Sequence, residues 1–335
     1  MFGRYSEGSF LRFLIVTLFM LLIWIILYQG YQEVELNYKR FKITAPMKDI
    51  EWKRSIIESS GKKEYRLENL RPLLGPSELT ELIKANNENP QIYTPSKNNI
   101  EKGVYRANLH MHTTFSDGAS SVRTLLDMAQ EYAENNLNGE VMYLAITDHN
   151  TVLGTQELVR VLQTSPGKYT KIKVTPGIEI NTAYNNSKIS PRPIDIHVLT
   201  LAINPFDKFL NKEFYKKNRH DKYNLVYPHR DFDWLVKTMS DYGIVGVAHP
   251  ARYTAFLGDD KYAYVKEMFD RFRFATGDKV IFTEGYYQVY PLLPDKKALG
   301  KEYDKYLNHI NKEAKKRGIL LDGSTDVHGV TIFTK

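Results

Sequence analysis

From residue 103 onward the chain alternates short apolar runs with amphipathic stretches, the pattern of strands joined by helices. Seven runs read as strands, at residues 104–109, 141–146, 172–174, 194–199, 244–248, 280–282 and 319–321. Apolar positions recur at helical spacing in residues 121–135, 155–163, 231–241, 262–272 and 298–317. Strand–helix alternation favours a parallel sheet with helices outside it. The expected fold is therefore α/β. If the sheet closes as a (β/α) barrel, reactive side chains gather at the carboxyl ends of its strands.

Two upstream stretches depart from this rhythm. Residues 13–28 are apolar throughout and carry no charge, and Phe10 and Leu11 extend the run if Arg12 reaches the interface. A helix needs roughly 17–25 residues to span a bilayer. The exit, Gln29-Gly30-Tyr31-Gln32, lacks the small residues of a cleavage site. A single-pass amino-terminal anchor is expected, with a cleaved signal peptide as the alternative. Arg4 and Arg12 precede the run and Lys39, Arg40 and Lys42 follow it, so charge does not orient it. Early single spans commonly translocate the long domain behind them, which puts the domain outside the cytoplasm. Residues 31–102 are polar and irregular, with short helices expected at 50–57 and 76–85 and a turn-rich linker at 86–99. The expected organisation is an anchor in residues 1–30, a stalk or accessory layer in 31–102 and a catalytic domain in 103–335. Residues 204–230 are long, basic and aromatic, and read either as an insertion over the site mouth or as an ordinary solvated loop and helix.

Composition narrows the chemistry. The 335 residues leave room for one domain and an appendage, and 42% hydrophobic with 25% charged residues suffices for a core. A net charge of +7 favours anionic partners such as phosphate esters, nucleic acid or an acidic membrane. Cysteine is absent, which excludes disulfides, thiolate metal sites and a cysteine nucleophile.

Six of the nine histidines fall in cassettes at predicted strand ends. They are His110-Met111-His112 with Ser116-Asp117-Gly118, Thr147-Asp148-His149, Asp195-Ile196-His197, Ala248-His249-Pro250 and Asp326-Val327-His328, joined by the acidic Gly177-Ile178-Glu179. Alternate residues on a strand share a face, so His110 pairs with His112 and Asp326 with His328. Imidazole and carboxylate suit zinc, manganese and iron. His110, His112, Asp117, His149, Glu179, His197, His249, Asp326 and His328 are too many for one ion and suit a cluster of two or three. Each has a plainer reading. Glu179 follows Pro-Gly and reads equally as a turn residue; Asp117 would cap the helix after Ser121. Asp148 would orient His149, and His249 would be a core histidine. His220, His229 and His309 lie in Lys-rich surroundings and read as surface residues. Arg252 is the candidate two-donor clamp on a substrate phosphate, or else a surface arginine.

Taken together, these motifs resemble the polymerase and histidinol phosphatase (PHP) superfamily of metal-dependent phosphoesterases over about residues 105–329. The wording Asp148-His149-Asn150-Thr151-Val152-Leu153-Gly154 and His249-Pro250-Ala251-Arg252-Tyr253 is similar to the branch that removes phosphate from nucleoside 3′,5′-bisphosphates and trims RNA from its 5′ end. The resemblance implies a distorted (β/α)7 barrel with two or three divalent transition-metal ions (Mn, Zn or Fe). It implies His110, His112, Glu179 and Asp326 on one ion, Glu179, His197 and His249 on a second, and Asp117, His149 and His328 on a third. The expected reaction is hydrolysis of a phosphate ester by a metal-activated water, with Glu179, His197, His249 and Asp326 as catalytic residues and a nucleotide or short RNA as substrate. Two alternatives stay open: a membrane-anchored phosphatase acting on phosphotyrosine, sugar phosphate or surface polysaccharide, and an inactive module that binds phosphate or nucleic acid.

Overall fold

The computed structural model describes residues 48–89, 106–184, 194–214, 230–285, 302–324 and 326–329. The apolar run at residues 13–28 lies outside these, as do His220 and His229 and residues 215–229 of the basic stretch. No helix among the described residues is long and apolar enough to cross a membrane.

Eight strands form one sheet: β1 (Ala107–Asn108), β2 (Met142–Ile146), β3 (Ile172–Tyr184), β4 (Ile194–Leu201), β5 (Arg230–Asp231), β6 (Ile244–Val247), β7 (Phe282–Glu284) and β8 (Leu320–Asp322). The order is β1-β2-β3-β4-β6-β7-β8, with β5 paired to β3 off this path. Beyond β1 and β8 the chain meets itself. Met111 bridges Val327, and the His112 amide donates to the Val327 carbonyl at 3.0 Å. The sheet is therefore curled, with its two ends in contact.

The expected parallel pairing holds for β1 with β2, β2 with β3, β6 with β7 and β7 with β8, and is corrected at β4, which runs antiparallel to both β3 and β6. A parallel crossover takes a dozen or more residues. Tyr184 and Ile194 are too close in sequence for that, so the chain returns as a hairpin. Strand β3 also runs through Pro176 and Gly177, where a turn was expected. At this point its pairing passes from β2, which ends opposite Pro176, to β4, whose last residue Leu201 lies opposite Gly177. The amide that proline lacks thus falls where one ladder stops. A Cβ on Gly177 would stand 2.8 Å from Leu201 Cδ2 and 3.1 Å from the Thr200 carbonyl oxygen, so glycine eases the approach of the two strands here.

The helices are α1 (Asp49–Ser60), α2 (Pro76–Glu88), α3 (Val122–Asn136), α4 (Leu153–Thr164), α5 (Lys208–Phe214), α6 (Phe232–Met239), α7 (Pro250–Thr254), α8 (Lys261–Thr276) and α9 (Tyr303–Lys316). Helix α3 starts where Ser121 Oγ accepts the Thr124 amide at 3.1 Å, a cap on an otherwise unpaired donor. Its buried Val122, Leu125, Leu126, Ala129 and Ala133 follow the spacing of one helical face. Helix α8 buries Tyr264, Val265, Met268, Phe269 and Phe272 against β3, β4 and β6 residues in one core cluster. Truncating Phe269 to alanine would cost about 3–5 kcal/mol in lost burial and cavity.

Residues 48–89 pack onto the same unit. Leu73 bridges Val174, flanked by Leu74 N–H to Val174 O at 2.9 Å and Val174 N–H to Pro72 O at 2.8 Å. The Asp49 carboxylate accepts the Ser77 and Glu78 amides at 2.9 and 3.1 Å and so satisfies the amino end of α2. The far end of α2 reaches β8, where Asn87 Oδ1 accepts the Leu321 amide at 3.0 Å.

Candidate metal centre

Each predicted ligand sits where a strand ends or turns inward. His110 and His112 follow β1 and share a face, while Met111 between them points into the core. His149 follows β2 and forms a bridge with Glu179. Glu179 is a strand residue of β3, not the turn residue that its Pro-Gly prefix suggested. His197 lies on β4 opposite Asn181, His249 follows β6, and Asp326 and His328 follow β8. Asp117 comes from the loop between His112 and α3. Gly118 closes that loop tightly, since a Cβ there would stand 2.2 Å from the His112 carbonyl oxygen.

All nine side chains converge. Glu179 divides its two oxygens between partners. Oε2 lies 2.9 Å from His110 Nε2 and 3.1 Å from His112 Nε2, and Oε1 lies 2.6 Å from His197 Nδ1 and 3.1 Å from His249 Nε2. Asp326 Oδ1 is 3.1 Å from His112 Nε2. On the outer side Asp117 Oδ2 is 2.8 Å from His328 Nε2 and 3.6 Å from His149 Nε2. The ligand atoms fall into three groups whose members lie within 4.8 Å of one another: His110, Glu179, His249 and Asp326; His149, Glu179 and His197; and His112, Asp117, His149 and His328. His249, His112 and His149, which belongs to two groups, thus group differently from the sets the resemblance implies, although His112 Nε2 also stands beside Glu179 and Asp326.

The electrostatics follow from burial and mutual attraction. Burial alone would raise the Glu179 and Asp326 carboxyls, but His110 and its neighbouring imidazoles hold both well below the ordinary carboxylate range. Burial opposes charge on His112 and His197 as well. The carboxylates of Asp117, Asp326 and Glu179 nevertheless push His112 up to about 10, and Glu179 with Asp195 pushes His197 up to about 9. Burial prevails at His149, which lies near 3, and lowers His249. Buried carboxylates at this density require positive counter-charge. Divalent cations supply it, and the donor set fits them: bonds of ~2.0–2.1 Å in a tetrahedral zinc site place neighbouring ligand atoms ~3.3 Å apart. The contacts above span 2.6–3.6 Å.

Several supporting residues carried no sequence signal. Glu284, at the end of β7, is buried; its Oε1 lies 2.7 Å from His110 Nδ1 and accepts the Ser324 hydroxyl, and its Oε2 accepts the His249 amide at 2.6 Å. A partner on the remote ring nitrogen fixes the tautomer that faces the cluster. His249 and Asp326 both have left-handed backbone, with φ of 25° and 49°. Such conformations persist only where the surroundings enforce them. Asn181 Nδ2 lies 2.6 Å from His197 Nε2, and the same amide group accepts from Asn150 Nδ2 at 2.7 Å.

Asp148 behaves differently from the expectation that it orients His149. Its carboxylate accepts the Thr113 amide, the Thr113 hydroxyl and the Ser116 hydroxyl, each at 2.7 Å, and so folds the loop that carries Asp117. Gly154 makes room for it, because a Cβ there would lie 1.8 Å from Asp148 Oδ2. Asp117 does not cap α3, a task that falls to Ser121. Arg252, on α7, is 37% exposed and donates from Nη1 to Asp326 Oδ2 at 3.1 Å, at the rim of the cluster. His309 is half-buried with its ring edge-on to Tyr262 at 4.8 Å, away from the cluster.

Comparison with known proteins agrees with this geometry. A segment of 82 residues is 37% identical to the DNA polymerase/3′-5′ exonuclease PolX of Bacillus subtilis; it covers 24% of this chain and only 12% of that protein. The family model for the PHP domain matches residues 108–321, well over half of the chain. Asp326 and His328 lie just beyond the match and complete the same ligand groups. PHP domains bind divalent metals, and membership suggests hydrolysis of phosphate esters. With the matched stretch carrying seven of the nine converging ligands, the chain belongs to the PHP domain family.

Proposed function

We propose that this chain is a metal-dependent phosphoesterase that acts on nucleotides or nucleic-acid ends. One observation carries the reading: the buried Glu179 turns one oxygen toward His110 and His112 and the other toward His197 and His249, the arrangement of a carboxylate shared by two ions. Divalent ions held by these groups would supply Lewis-acid stabilisation of a phosphoryl group and a water nucleophile at neutral pH. The protein's own part is positional. Glu179, His197, His249 and Asp326 surround the reacting atoms, Glu284 fixes the orientation of His110, and Arg252 at the rim offers guanidinium donors to a substrate phosphate. The buried walls exclude bulk water from the inner ligands.

The substrate class rests on the resemblance of the motifs, the basic net charge of +7 and the nucleic-acid enzyme among the relatives. We further propose that residues 13–28 anchor the protein in a membrane with the catalytic domain outside the cytoplasm. That apolar run favours a second reading, a phosphatase of phosphotyrosine, sugar phosphate or surface polysaccharide.

The test is a phosphoester panel assayed with added manganese, containing nucleoside bisphosphates, short RNA, sugar phosphates and a phosphotyrosine peptide. Fastest turnover on the nucleotides or RNA is expected. Preference for the peptide or a sugar phosphate moves the assignment to the second reading, and failure on every substrate by a metal-loaded protein overturns both. For the anchor, the intact chain is expected to stay with membranes through carbonate extraction. Protease that reaches the domain only after lysis would overturn its orientation.

A further inference from the structure

Behind the metal centre lies a second buried acidic pair. Glu284 and Asp322 are register partners on the parallel strands β7 and β8, so their side chains leave the same face of the sheet side by side. Both are almost fully buried. Glu284 faces the cluster through His110 and the His249 amide. Asp322 takes its partner from α2 instead, where the buried Asn86 donates from Nδ2 to Asp322 Oδ1. Two carboxyl groups this close in a dry site repel when both are charged, and burial with the charge of Glu284 pushes Asp322 up to about 7. The amide donor of Asn86 gives Asp322 a partner of its own, while the oxygens of Glu284 are taken by His110, Ser324 and the His249 amide. The register pair itself is fixed by the Gly285 amide on the Asp322 carbonyl at 3.0 Å.

Asn86 belongs to the layer at residues 48–89, outside the stretch that matches the family at 108–321. We propose that Asn86 and Asp322 are positioning residues for the metal centre, through which this added layer sets the aim of Glu284 on His110 and His249. The inference rests on the metal-centre reading above and assigns the layer a role in metal affinity beyond its contribution to stability.

The experiment measures manganese affinity by calorimetry on the chelator-treated full chain, so its readout is independent of substrate and turnover. Glu284→Gln is expected to weaken binding by about 10- to 100-fold, the range for lost partners of metal ligands. Asn86→Leu is expected to weaken it by about tenfold. In the Glu284→Gln background the same change should have far less effect, because the two act along one path. Leu79→Ala, which removes buried apolar volume from the same helix, should lower the melting temperature and leave manganese affinity unchanged. Asn86→Ala carries the same expectation should Asn86→Leu fail to fold. Wild-type affinity in the Asn86 variant, full additivity with Glu284→Gln, or an equal loss in Leu79→Ala would each overturn the proposal. A wild-type chain that binds no manganese would overturn the metal-centre reading itself, and this inference with it.

Discussion

His110 and Glu179 have no exposed side-chain surface, whereas Asp117 and His328 are 22% and 26% exposed, although all four belong to one cluster. The inner ligands stand on or directly after the strands β1, β3, β4 and β6 and are backed by Glu284. In the outer group Asp117 comes from a loop folded around Asp148 and His328 from the stretch after β8, while His112 and His149 join them from the ends of β1 and β2; Asp326, also after β8, turns inward. The same residue types are thus held by the sheet on one side and by a loop on the other. Rigid strands fix ligand geometry, and loops grant access. The inner group is closed off from solvent, and the outer one is the side on which the cluster meets it.

The largest effect should come from the residue that joins the two inner groups. Glu179→Gln removes a charged ligand from two sites at once. If two ions lose several kcal/mol of transition-state stabilisation, turnover should fall by about a thousandfold or more, at 1.36 kcal/mol per decade. Elemental analysis should show metal content falling with it, whereas Asp117→Asn should cost one outer ion and spare the inner pair. Equal losses in the two variants would erase the distinction between the inner and outer sides.

Next in size is a pH effect behind the inner group. Asp322 titrates near 7 in the folded chain because of burial and the charge of Glu284, against about 3.9 when unfolded. Between those values the folded chain keeps a proton that the unfolded chain releases, so stability falls as pH rises through this window. The loss is at most about 4 kcal/mol at 1.36 kcal/mol per unit. Asp322→Asn should flatten the profile, read by urea unfolding of metal-free protein at about pH 5 and about pH 8. A slope as steep as that of the wild type would assign the titration to another group.

Arg252→Ala tests the rim. Losing a charge-assisted donor costs about 1.5–3 kcal/mol, which should raise KM by roughly ten- to a hundredfold if the loss is uniform. Arg252→Lys should recover only part, since an ammonium lacks the planar fork. Unchanged kinetics on every phosphoester would leave Arg252 as a partner of Asp326 alone. The smallest effect belongs to Ser121→Ala, which uncaps the helix behind the Asp117 loop. It should cost about 1 kcal/mol of stability, visible in thermal unfolding, with the inner metal content intact.

What the sequence disclosed, and what it concealed, follows from the range of the signals. Histidines and carboxylates gathered in short cassettes at strand ends are local patterns, and all nine of the side chains that converge stood in them. Glu284 did not, because Phe282-Thr283-Glu284 reads as the tail of a short strand with nothing beside the acid to mark it. Its importance arises from His110 and His249, distant in sequence and adjacent only after folding. Pro176-Gly177 misled the reading for a related reason, since a turn signature is tolerated inside a strand when pairing changes partners there. The direction of β4 was concealed by the strand–helix rhythm on either side of it. The role of Asn86 needed α2 to be seated against β8, which no periodicity in residues 76–88 records.

The left-handed backbone at His249 and Asp326 has a consequence for which ions fit. Each such residue carries of order 1–3 kcal/mol of conformational cost, which the contacts around it must offset; at His249 these include its amide on Glu284. Part of the interaction energy of the site is thus spent on aiming two side chains. A metal whose preferred geometry differs from the one they define would have to move the main chain, and not only a rotamer, to be accommodated.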